Sequence, residues 1–398
     1  MISGILVVRS LPPNEYGLYT LALTLLGTMN ILADAGISNG VMSQGGKVWN
    51  NPERLGEIIA TGHALRKKFG TISLILILPL MIHLLHSHHA TWPQIAAILA
   101  GTTLSFITTL SDTILTIAPK LHQKILLVSR IQILQAIGRL GLVSTSSLLA
   151  PVASVILIAT SIPQIWANRR LRSLNQQLIT STKAQSREDR DSILKIVKRT
   201  LPGSIYYCFS SQITLWLVSL LGSSTSIAQI GALGRINQII TIYTILVSTT
   251  IAPRVARLPP VRTTLSYWFT GAYGITAILA AILVAITATF PNQILWILGS
   301  HYANLQNELI LSTGCAAVSL LNCIPYNFSG ARGWILHPAI SISTTLIGQI
   351  IFLSILELDT VQGILTFGIM STSIPLAMNT LNIVIRIRNC EIHEKKTN

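Results

Sequence analysis

An all-α, multi-pass membrane protein is what this 398-residue sequence predicts. Three observations point there: charge is scarce, apolar residues come in runs of membrane-crossing length, and the basic residues collect on one alternating set of connections. Asp, Glu, Lys and Arg make up 10% of the chain, where a soluble domain carries about 25%. Half the residues are apolar and the mean hydropathy is +0.60. A soluble core of this size needs a charged surface around it, and the chain has too few charges to supply one. The net charge of +15 suggests nucleic acid as a partner in a soluble chain. Here the positions of the charges matter more than their sum, and no nucleic acid is expected.

A helix that crosses a bilayer takes roughly 20 mainly apolar residues, because its backbone polar groups must be satisfied internally. Eleven stretches meet this requirement. The first, 18–42, carries Asn30, Asp34 and Ser38 at four-residue steps, and the second is 69–85. The third, 95–118, aligns Ser105, Thr108, Thr109, Asp112 and Thr116 on one helical face. The fourth, 131–149, groups Gln132, Gln135 and Ser146 with Arg139. After 152–167 and 204–221, the stretch 227–252 places Gly231 and Gln238 beside Arg235. The segments 267–290, 309–328, 339–356 and 361–385 complete the set. Runs of this length exclude a membrane barrel, whose strands take about ten residues. Pro79, Pro163, Pro253, Pro325 and Pro375 lie in or at the ends of spans, where they kink helices.

Of the 28 basic residues, 25 fall on one alternating set of connections that includes Arg66, Lys67 and Lys68. The opposite set, 86–94, 150–151, 222–226, 291–308 and 357–360, has no Lys or Arg at all. The positive-inside rule makes the basic set, and the C-terminus with it, cytoplasmic. Trp49, Trp92, Trp166, Trp268, Trp296 and Trp334 sit near span ends, as interfacial anchors do.

The densest basic stretch divides the chain: a bundle over 1–168, a cytoplasmic linker over 169–199, a six-helix bundle over 200–385 and a cytoplasmic tail over 386–398. Five spans precede the linker and six follow, and the first part is shorter by about one helix and its turn. A six-plus-six plan would put both termini in the cytoplasm, so a twelfth span upstream of the apolar piece 1–8 is expected, lost to a wrong start codon or to truncation. The alternative is eleven spans with a short N-terminal anchor. Two six-span halves would be parallel repeats facing a central cavity.

Four strongly ionisable side chains lie within spans: Asp34, Asp112, Arg139 and Arg235, which sum to zero. Each costs roughly 2.5–3.5 kcal/mol or more facing lipid, so each is expected toward the bundle interior or water. The polar stripes beside them read as walls of a solvated pathway; the competing reading is that Asp34 or Asp112 pairs with Arg139 and locks helices together. His83 and His86 share a face at a spacing that suits a transition metal, but no carboxylate or thiol lies close by in sequence, and no metal is predicted. The four cysteines have no paired spacing. No phosphate-binding loop or hydrolase elbow is present, which argues against ATP-driven transport and leaves no cofactor expected.

The N-terminal residues are the most specific. Arg9-Ser10-Leu11-Pro12-Pro13-Asn14-Glu15-Tyr16-Gly17-Leu18-Tyr19, followed by Leu32-Ala33-Asp34-Ala35-Gly36-Ile37, resembles the start of Wzx-type O-antigen flippases of the MATE-like superfamily. Pro12 stands where that family usually has Gly. The run Gly234-Arg235-Ile236-Asn237-Gln238 is loosely similar to the family's second-half helix. The sharp motif covers only residues 9–40. The resemblance implies a MATE-like two-bundle fold in a bacterial inner membrane. It implies a non-enzymatic flippase that moves a polyprenyl-diphosphate-linked oligosaccharide toward the periplasm for surface polysaccharide, with a polymerase and a chain-length regulator as partners. Arg139 and Arg235 would then meet the diphosphate, Gln132, Gln135 and Gln238 the sugars, and Asp34 and Asp112 would hold the arginines or carry a coupling cation. The alternatives are a MATE-type cation-coupled drug antiporter, whose cavity should be acidic, and a membrane oligosaccharide polymerase, which would need a large outer loop.

Overall fold

The computed structural model describes residues 2–180, 186–210, 213–251, 254–255, 258–259, 261–332, 334 and 336–397. Pro253, named above, lies outside them. Helices account for nearly all of the described chain: α1 Ile2–Ser10, α2 Pro13–Asp34, α3 Ile37–Lys47, α4 Pro52–Ser87, α5 Trp92–Leu115, α6 Ile117–Leu121, α7 Ile125–Leu149 and α8 Ala153–Gln176. Then come α9 Arg187–Ser210, α10 Ile213–Leu221 and α11 Ser224–Leu246, which a π turn at Val247–Ile251 extends. The series ends with α12 Arg262–Thr289, α13 Pro291–Leu298, a 3₁₀ turn at Ser300–Tyr302, α14 Gln306–Arg332, α15 Pro338–Ile355 and α16 Val361–Thr397.

Among the described residues, each of the eleven predicted stretches lies mainly on helix. Eight helices among the described residues are long and apolar enough to cross a membrane, and the bent pair Leu201–Ser210 with Ile213–Leu221 would make a ninth. The other two, α8 and α11, are helices of sufficient length but more polar composition. The first carries Gln164, Asn168, Arg169 and Arg170; the second carries Gln229, Arg235, Asn237 and Gln238. A polar helix in a membrane bundle must turn its polar side to protein or water, so these are the helices where specific contacts are expected.

Packing divides the described residues into two units, 2–228 and those from 229 on, with the boundary inside α11. In the first, α2 is the central helix: Tyr16, Tyr19, Leu21, Leu25 and Met29 are all within 1% of full burial. It touches α4, α5, α8 and α9, whereas α7 lies outermost, with Leu126, Ile133, Leu134 and Ile137 exposed on a lipid-ready surface. The segment expected as a polar linker is largely helical. The end of α8 takes its first residues, and α9 lays Ile193 and Val197 into an apolar cluster with Ile37, Val41 and Leu55. Arg54 of α4 adds an ion pair to Asp189 of α9 at 3.2 Å.

The single span expected over 18–42 is instead two helices. Ala35 at φ 44° and Gly36 at φ 88° place two successive residues in the left-handed region, which ends α2 and starts α3 in a new direction. In the second unit, Phe269 packs edge-on against Phe328 within a cluster that also holds Val247, Leu265, Ile324 and Ile383. There α14 contacts both α12 and α16.

Candidate functional site

The N-terminal motif is built for packing. Tyr16 is fully buried, and a Cβ on Gly17 would stand 2.2 Å from the Ser224 carbonyl oxygen, so only glycine lets α2 approach that backbone. Glu15 accepts hydrogen bonds from Gln94 Nε2 at 3.0 Å and from Ala153 N at 2.9 Å. Its carboxylate thereby ties α2 to α5 and caps the N-terminus of α8, where a negative charge is favoured.

At the other end of α2 lies the first charged pair. Ser38 donates a hydrogen bond to Asp34, and Arg66 of α4 brings Nη1 within 3.6 Å of the Asp34 carboxylate. Arg66 is 3% exposed, and its Nε and Nη1 make no hydrogen bond. Its assignment to a cytoplasmic loop is therefore corrected: α4 begins at Pro52, capped by Asn51, whose side chain accepts from Glu53 N and Arg54 N, and the helix carries Arg66 into the bundle. Asp34, Arg66 and Asp112 each lie about 20 residues, or roughly 30 Å, from the opposite ends of their helices. With Arg66 drawn into the bundle, it joins Arg139 and Arg235 as an arginine to be set beside the aspartates Asp34 and Asp112.

Asp112 anchors a second network. Gln164 of α8 donates to its carboxylate, and Gln135 of α7 donates in turn to Gln164. Along the same seam Ser105 and Ser161 share a hydrogen bond at 2.6 Å, Asn168 donates to the Thr108 carbonyl at 2.5 Å, and Asn175 donates to the Leu115 carbonyl at 2.6 Å. Ser105 and Thr116 are buried. The α5 stripe expected to face a solvated pathway is therefore, over these positions, a polar seam against α8. Asp34 takes Arg66 and Asp112 takes Gln164, in place of the Arg139 pairing.

Arg139 and Gln132 are exposed on α7, and Gln135 is half-buried one turn from Arg139. In the second unit Arg235 is half-buried on α11 and Gln238 exposed, while their neighbour Asn237 donates to Ser312 of α14 at 2.8 Å. At the histidine cluster that ends α4, His86 stacks on Trp92 and His88 Nε2 lies 2.9 Å from the Ser219 carbonyl oxygen.

The sequence reading missed Arg66. A signal was present: Gly62, Arg66, Gly70 and Ser73 repeat at helical spacing, the small-residue stripe of a closely packed helix face. Beside Arg66, a cavity of about 720 Å³ opens between α4, α5 and α8, lined by His63, Lys67 and Arg172 among polar groups and by Leu74, Phe106 and Leu110 among apolar ones.

No protein-family model and no curated protein matches this chain. Solved structures do match. An inward-facing multidrug-resistance MATE family transporter of the MOP superfamily aligns with a TM-score of 0.77 at 13% identity, over 98% of this chain and 94% of the other. The fold is MATE-like. The lipid II flippase MurJ, in an inward closed conformation, aligns at 0.70 with 14% identity, over 98% and 88%. A MOP superfamily transporter from Pyrococcus furiosus, described as having a binding pocket of reverse polarity, aligns at 0.55 with 14% identity, over 98% and 91%. This MATE-like chain is thus similar in architecture to drug transporters and to a lipid flippase alike.

Proposed function

We propose that the chain is a flippase that carries a polyprenyl-diphosphate-linked oligosaccharide from the cytoplasmic to the periplasmic leaflet of a bacterial inner membrane, for O antigen or a similar surface polysaccharide. The observation that carries this reading is the burial of Arg66 within the bundle, which with Arg139 and Arg235 sets three arginines against Asp34 and Asp112. An anionic diphosphate suits that balance; a cationic drug does not. The N-terminal resemblance to Wzx-type flippases supports the same substrate class, and a polymerase and chain-length regulator are the partners such a product requires. Arg139 and Arg235, one in each unit, are assigned to the diphosphate, with Gln132, Gln135 and Gln238 toward the sugars. Arg66 already answers Asp34, so Asp112, whose Oδ1 has no hydrogen-bond partner, is the carboxylate assigned to a coupling cation.

The test is complementation of a flippase-deficient strain, scored by surface polymer at matched protein level. Arg139→Ala and Arg235→Ala are expected to lower polymer severalfold, and Gln132→Ala to have the smaller effect. Normal polymer from both arginine variants would sink the assignment, and drug resistance without polymer would favour the cation antiporter.

A further inference from the structure

We propose that the cavity between α4, α5 and α8 holds the phosphate headgroup of an anionic phospholipid, drawn from the leaflet that borders the basic connections. The proposal does not depend on which substrate the transporter moves. Three cationic side chains line this cavity, Arg66, Lys67 and Arg172, and no Asp or Glu is among its lining residues. Asp34 answers Arg66 from outside the cavity lining, whereas Lys67 and Arg172 make no ion pair among the described residues, and an anion in the cavity would answer them. Arg172 reaches Ser111 only at 3.5 Å, and Arg66, 97% buried, keeps its Nε without a hydrogen bond.

The remaining walls identify the anion as a lipid. Leu74, Phe106, Ile107 and Leu110 line the same cavity, and Ile107 is 58% exposed. Above it on α4, Ile72, Ile75 and Leu76 are exposed as well, the composition of a surface that acyl chains cover. Arg66 lies roughly 30 Å along α4 from its far end, one hydrocarbon thickness, which puts the cations at headgroup level. Basic pockets between membrane helices at that level take anionic headgroups. A volume of about 720 Å³ accommodates a glycerophosphate and the first carbons of its chains.

Native mass spectrometry of the purified full chain tests this, with phosphatidylglycerol, phosphatidylcholine, polyprenyl diphosphate and inorganic pyrophosphate as probes. Phosphatidylglycerol is expected to be retained at least tenfold better than phosphatidylcholine. The exposed-site variant Lys67→Gln/Arg172→Gln should lose that preference, while Lys195→Gln/Lys198→Gln on α9 should keep it. Arg172→Gln alone, expected to lose part of the preference, serves if the double variant unfolds in detergent. Equal loss in the α9 variant would reduce the effect to overall charge and overturn the site. Displacement of phosphatidylglycerol by inorganic pyrophosphate at equal concentration, or preferential capture of polyprenyl diphosphate, would overturn the lipid assignment.

Discussion

Arg66 and Asp34 form a pair whose members depend on each other unequally. Arg66 is almost fully buried while the Asp34 side chain is 28% exposed, so removing the acid strands a buried cation, whereas removing the arginine leaves a carboxylate that water can still reach. Asp34→Ala is therefore expected to destabilise the solubilised protein by about 3–5 kcal/mol, and Arg66→Ala by less. The double variant Asp34→Asn/Arg66→Gln should fall short of the summed single effects, because it removes both charges together. Thermal unfolding in detergent measures all of these, and strict additivity would show that the two side chains do not interact. Arg66 was hidden in the sequence because its neighbours Lys67 and Lys68 make the segment read as a basic loop. Only the helical register, seen in Gly62, Gly70 and Ser73, separates it from them.

Among the elements, the α2–α3 corner and the α2 entrance rest on single glycines. Gly36 at φ 88° adopts a conformation that costs an L-residue about 1–2 kcal/mol, so Gly36→Ala should lower stability by that amount, and an unchanged melting temperature would place the corner elsewhere. At Gly17 the obstacle is a backbone carbonyl rather than a torsion, and a carbonyl held in place cannot turn aside. Gly17→Ala is expected to cost about 1–3 kcal/mol and to reduce the yield of folded protein in membranes. The motif that supplies the resemblance to Wzx-type flippases is thus explained here as packing: Glu15 caps α8, Tyr16 fills the core, Gly17 permits a close approach, and Gly36 turns the chain. None of those roles is visible in the residues alone, since Ala153 and Ser224 are far from them in sequence.

For the whole molecule, the sorted basic residues make a topological prediction. In a cysteine-free background, Ser223→Cys should react in intact cells with a membrane-impermeant thiol reagent, and Lys195→Cys should react only after the cells are opened; the reverse pattern would invert the orientation. Both positions are exposed, so access from one side or the other decides the outcome.

The helical class, the apolar stretches and the sidedness signal were legible in the sequence because the costs behind them are local. Each segment must satisfy its own backbone in hydrocarbon, and each charge is repelled from it whatever the other helices do. The polar stripe on 95–118 was legible too, but its meaning was not: Ser105, Thr108 and Asp112 occupy one face in any helix, and only the arrival of α8 with Ser161, Gln164 and Asn168 makes that face a seam. The same holds for the depth and partner of Arg66 and for the cationic cavity. These depend on which helices become neighbours, a choice made by long-range packing that no single segment encodes.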